Sequence, residues 1–155
     1  MTRSLCSHKI NHMIEIAASN FEIDPPTTRI KEWWQAELNI QATLTVTVDG
    51  EIILQEPHWC VVELSQALSQ WEANCNWETG FQYNSMDEEE SNLLCFKQSE
   101  TGEWIIGSAW QLKETRQKVP TKALQKAVRT LVRNVKGSVV SELGVDLCKF
   151  KEFAE

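Results

Sequence analysis

Apolar and polar side chains alternate along much of the chain, and the alternation gives way to a helical period twice. From about His12 to Ala18, Ile14 and Ile16 fall on one face and Met13 and Glu15 on the other, which predicts a first strand. Asp24-Pro25-Pro26-Thr27-Thr28 ends it, because two prolines remove consecutive N–H donors and fix φ. From Trp34 through Leu38, Ile40, Ala42, Leu44, Val46 and Val48 nearly every even position is apolar, while Asn39, Gln41, Thr43, Thr45 and Thr47 fill the odd ones. This period of two predicts a long strand buried on one face only, which favours an antiparallel sheet. Asp49-Gly50 then signals a hairpin. A two-residue loop would place Glu51 and Gln55 on the apolar face. A three-residue turn with a left-handed bulge, pairing Val48 with Ile52 and Val46 with Leu54, keeps the faces consistent and is the expectation.

Pro57 is expected to close this third strand, and a helix to follow from about His58 to Ala73, since Val61, Leu64, Leu68 and Trp71 recur at helical spacing. Three strands come next: Trp77 to Tyr83, Leu93 to Lys97, and Trp104 to Trp110, the last two joined across Glu100-Thr101-Gly102. Pro120 opens a long helix to about Leu143, with Leu124, Val128, Leu131, Val135 and Val139 as its buried stripe and Gly144 as its cap. The order β-β-β-α-β-β-β-α predicts one α+β domain over residues 1–155. Its antiparallel sheet of about six strands carries two helices on one face.

The 155 residues, 42% hydrophobic, suit one core of good size. No apolar run approaches the roughly 20 residues of a membrane span, and Met1 to Met13 lacks the apolar stretch of a signal peptide, so a cytoplasmic protein without a membrane partner is expected. Five dispersed cysteines (Cys6, Cys60, Cys75, Cys95, Cys148) fit free thiols in a reducing compartment. The net charge of −7 is uneven: residues 1–112 carry 17 acidic and 5 basic side chains, whereas residues 113–136 carry 8 basic and 1 acidic.

No constellation selects a chemistry, and neither a catalytic residue, a cofactor nor a metal site is expected. His8 and His12, near Cys6, would suit a metal on a helix, but on a strand that spacing is about 13 Å. His58 and Cys60 bracket Trp59 near a helix start, where a thiol can be activated. Residues two apart do not face each other on a helix, so Cys60 reads as a packing residue. Glu15, Glu63 and Glu78 could serve as acid–base groups, yet no spacing rule picks them. Glycine-rich phosphate loops and the common hydrolase motifs are absent.

Charge and tryptophan offer more. Asp87, Glu88, Glu89 and Glu90 form an acidic loop able to steer a basic partner. Lys122, Lys126, Arg129, Arg133 and Lys136 recur at helical spacing on one face of the last helix. That face reads first as solvated, second as meeting a protein partner and third as meeting nucleic acid, with an intramolecular role near acidic loops as a further option. Of seven tryptophans, Trp34, Trp71, Trp77, Trp104 and Trp110 fall on apolar faces, while Trp33 and Trp59 fall out of phase and are the candidate exposed anchors.

Trp77-Glu-Thr-Gly-Phe-Gln-Tyr-Asn-Ser-Met-Asp, Asn92-Leu-Leu-Cys-Phe and Trp104-Ile-Ile-Gly-Ser-Ala-Trp-Gln, with Val48-Asp-Gly and Glu56-Pro upstream, resemble a family of small, uncharacterised bacterial proteins over roughly residues 35–145. In size, acidity and layout the chain is also similar to immunity proteins of bacterial toxin–immunity systems, including contact-dependent growth inhibition. The resemblance implies a cytosolic, non-catalytic protein that binds and blocks a cognate toxin, a nuclease with a basic cleft above all. The anchors would be Asp87–Glu90 with Trp33 or Trp59. The alternatives are a binding module that uses the basic helix face for nucleic acid or an acidic protein, and a hydrolase lacking a standard motif.

Overall fold

A computed structural model describes residues 13–75, 77–84, 93–112 and 118–153 of the chain. The elements run β1 (Ile14–Ile23), α1 (Trp33–Asn39), β2 (Ile40–Val48), β3 (Glu51–Trp59), α2 (Val61–Cys75), β4 (Phe81–Tyr83), β5 (Leu94–Gln98), β6 (Trp104–Gly107) and α3 (Thr121–Leu143), then a 3-10 turn at Leu147–Lys149. The fold is α+β with six strands, as the patterns predict, but the strands divide between two antiparallel sheets, β1-β2-β3 and β4-β5-β6. α3 packs against β1 and α2 against β2, while α2 also meets β4. One cluster of buried residues runs through both sheets.

The clearest departure lies before β2. Trp33–Asn39 is helical, and the strand begins only at Ile40. Trp34, Ala36 and Leu38 fit a period of two, but Trp33, Ala36 and Ile40 fit i, i+3 and i+7 equally well. Gln35, Ala36, Glu37 and Leu38 are good helix formers. The Gln35 side-chain oxygen fixes the entry by accepting from the N–H groups of Lys31 and Glu32 at 2.7 and 2.9 Å. The two tryptophans consequently exchange roles. Trp33 turns inward and Trp34 is 55% exposed.

In β2, Ile40, Ala42, Leu44, Val46 and Val48 are all buried, as the alternation requires. The hairpin differs in detail. Val48 pairs with Glu51 across a two-residue turn, in which Asp49 and Gly50 both have positive φ (52° and 82°). That is what a type I′ turn demands. The extra residue, Ile53, lies within the strand, so Val46 pairs with Leu54 as expected while Ile52 opposes Thr47. The faces are still reconciled by a bulge, one pair further from the turn.

Pro57 does not close β3. Bonding with β2 alternates along this edge strand, and Pro57 sits where its missing N–H faces away from β2. A second irregularity follows: His58 has φ 59°, and Trp59 rather than His58 pairs with Ala42. This swings Trp59 onto the inner face, 4% exposed, so it is a core residue and not the exposed anchor its phase implied. The helix accordingly starts at Val61 rather than His58. Trp77 and Trp110 lie outside the short strands β4 and β6, but both pack against the core. α3 follows its expected boundaries, with all five stripe residues buried and Gly144 left-handed at its end (φ 71°).

Candidate functional site

The features that could meet a partner gather around α1. Trp33 lies between the rings of Phe150 and Phe153, with centroids 5.7 and 5.6 Å away, so the end of the chain fixes the orientation of this short helix. Partial burial is the largest influence on the Glu37 carboxyl of α1 and holds it above its ordinary value. The Trp33 side chain, one turn earlier, opposes this, and the carboxylates of Glu63, near the start of α2, and Glu152 add to it. Glu63 in turn accepts a 2.6 Å hydrogen bond from the Tyr83 hydroxyl, at the end of β4. The Glu152 carbonyl takes the Gln66 amide at 2.6 Å. The result is a group of carboxylates shared by α1, α2 and the segment after α3, and the same α1 carries Trp34 exposed.

The acidic loop Asp87–Glu90 lies outside the described residues, as do Cys6, His8 and His12. The flanks of that loop are described: the Leu93 N–H donates to the Tyr83 carbonyl at 3.0 Å.

The other candidates are not brought together. His58 is exposed, with Nδ1 3.0 Å from Glu22 Oε2. Cys60 is buried, its Sγ 3.7 Å from the Leu38 carbonyl, which is the packing role expected of it. Glu78 is exposed in the turn before β4, and Glu15 is exposed on β1. Among the described residues no group of three His, Cys, Asp or Glu side chains could hold a metal ion, and no helix is long and apolar enough to cross a membrane.

The basic face of α3 is partly engaged by the protein itself. Arg129 pairs with Glu72 on α2, and Lys136 sits 5.7 Å from the centre of the Phe153 ring. Arg129, Arg133 and Lys136 border a depression of about 260 Å³ that Glu72 shares. Of the readings weighed for this stripe, the intramolecular one holds at Arg129, though its partner Glu72 lies on a helix rather than an acidic loop. Lys122 and Arg133 are exposed.

Trp34 is the residue that sequence reasoning missed. Its signal was available: a Trp-Trp pair followed by a short run of helix formers can bury only one of the two rings.

No curated protein and no solved structure matches the chain. A family model does match, over residues 19–141, from the second half of β1 almost to the end of α3. The chain belongs to that family, which is described as a domain of unknown function, DUF7878.

Proposed function

We propose that this protein works by binding rather than by catalysis, as a cytoplasmic immunity-type protein that neutralises a cognate bacterial toxin with a basic, nuclease-like cleft. The observation that carries the reading is Trp34, 55% exposed on α1, the short helix that also carries Glu37, whose carboxylate neighbours are Glu63 and Glu152. An exposed tryptophan costs solubility on a free surface, and it is the residue type most enriched where interfaces concentrate their energy. The carboxylates add selectivity for a basic partner and speed its approach. The −12 balance of residues 1–112 extends that field over most of the molecule.

The two kinds of residue should act on different rate constants. Trp34→Ala should weaken the complex by about thirtyfold or more, mainly through faster dissociation. Neutralising Asp87, Glu88, Glu89 and Glu90 together should slow association and flatten its salt dependence. Both can be read by surface plasmon resonance against the product of the gene neighbouring that of the protein. A neighbour without a toxin-like domain, or a complex indifferent to Trp34→Ala, would overturn the reading.

A further inference from the structure

A second surface lies at the edge of the first sheet formed by β1. β1 pairs with β2 and, among the described residues, with nothing on its other side. Hydrogen bonding in an antiparallel pair alternates from residue to residue. The Asp49 N–H donates to the Met13 carbonyl at 2.8 Å, so Met13, Glu15, Ala17 and Ser19 turn their backbone groups toward β2. Ile14, Ile16 and Ala18 therefore present their N–H and C=O groups outward, where no described residue bonds them. α3 runs alongside, and the space between it and β1 is a groove of about 450 Å³. Ile14, Ile16, Ala123 and Ala127 supply much of its apolar wall. Among the described residues Lys126 is the one cation in its lining and Glu15 the one anion.

We propose that this groove accepts an extended segment of a partner protein as an added strand of the first sheet. Main-chain hydrogen bonds to Ile14, Ile16 and Ala18 supply affinity, and the flanking side chains supply preference. Successive side chains of a strand point to opposite faces. On the helix side the guest meets Ala123, Ala127 and Lys126, and on the other side it meets Glu15. The segment that fits carries small apolar residues and one carboxylate on the helix side, and a basic residue on the other. This inference does not rest on the Trp34 surface, because the groove involves β1 and α3 and not α1.

The probe is a fluorescein-labelled peptide of about eight residues, valine alternating with lysine, with one central valine replaced by glutamate. Titrated against the full chain, it should bind saturably. Amide exchange should slow at Ile14, Ile16 and Ala18, while Glu15 and Ala17, already bonded to β2, change little. Methylating the peptide nitrogens that face the edge should weaken binding about tenfold or more. Lys126→Glu should weaken the parent peptide and be rescued by a peptide with lysine in place of its glutamate. No binding, binding that survives methylation, or protection without the alternating pattern would overturn the proposal. So would sedimentation showing that the protein dimerises with this same protection and no peptide present, since a second copy would then own the edge.

Discussion

The two sheets are held in place by different means. The first has strands of ten, nine and nine residues and an aliphatic inner face in which Ile16, Ile40, Leu44, Val46 and Leu54 are at most 2% exposed. The second has strands of three, five and four residues, too short for pairing alone to position them. Aromatic rings do that work instead. Trp71 of α2 lies 4.7 Å from Trp77, 5.5 Å from Phe81, 5.6 Å from Phe96 and 5.7 Å from Trp104. Two indoles of this cluster also find polar partners: Trp71 Nε1 donates to the Thr79 carbonyl and Trp104 Nε1 to the Thr121 hydroxyl. A short sheet can thus be as fixed as a long one if a helix shared with its neighbour carries the ring around which it assembles.

The comparison can be broken most directly at Trp104, which is wholly buried. Trp104→Ala should cost about 3–5 kcal/mol, and Leu44→Ala in the first sheet about 2–5 kcal/mol. Because α2 packs on both sheets, each variant should lower the melting temperature read by tryptophan fluorescence and by far-ultraviolet circular dichroism equally. Divergent transitions would mean that the sheets melt separately.

A middle-sized effect is expected at Gly80. A Cβ there would lie 2.9 Å from the Phe96 carbonyl oxygen, a backbone atom of β5 that cannot step aside. Gly80→Ala should cost about 1–3 kcal/mol by urea denaturation. A neutral result would show that the second sheet is more yielding than its ring cluster suggests.

The smallest effect belongs to the seam between the halves, where Glu37 and Glu63 approach each other and Tyr83. The Glu37 carboxyl titrates above its ordinary 4.5 in the folded chain, chiefly from burial. The fold therefore favours its protonated form. That contribution is complete below the unfolded-state value and is lost as pH rises through the folded one. Glu37→Gln should match the parent in acid and become the more stable of the two above the carboxylate range, as thermal melts at several pH values would reveal.

Where one periodicity acted alone, the chain was readable. β2 and α3 each bury the stripe they display, and both follow patterns no other element could share. The readings that failed were those where two periods coincided or a single residue shifted the phase. Trp33–Asn39 satisfied strand and helix spacing together, and the helix is supported by the Gln35 cap and by contacts with Phe150 and Phe153, more than a hundred residues away. Trp59 changed sides because one left-handed residue, His58, entered β3. The division into two sheets was hidden for a related reason: alternation within a strand states which face is buried, not which strand lies beside it. The acidic balance of the first 112 residues was legible, but neither the Glu37 carboxylate nor the exposed Trp34 ring was, since both depend on the helix that alternation concealed.

The bulge at Ile53 turns its carbonyl away from β2, and there it receives the Leu112 N–H at 2.7 Å. Further along the same border Pro57 has no proton to give. Among the described residues, the β3 border thus takes a bond from its own chain and lacks a donor at Pro57, whereas the β1 border takes none. The two borders are unequal templates, and β1 is the better one for a neighbour. Growth by strand addition through both borders is disfavoured, which separates recognition at an edge from the open-ended stacking that leads to fibrils.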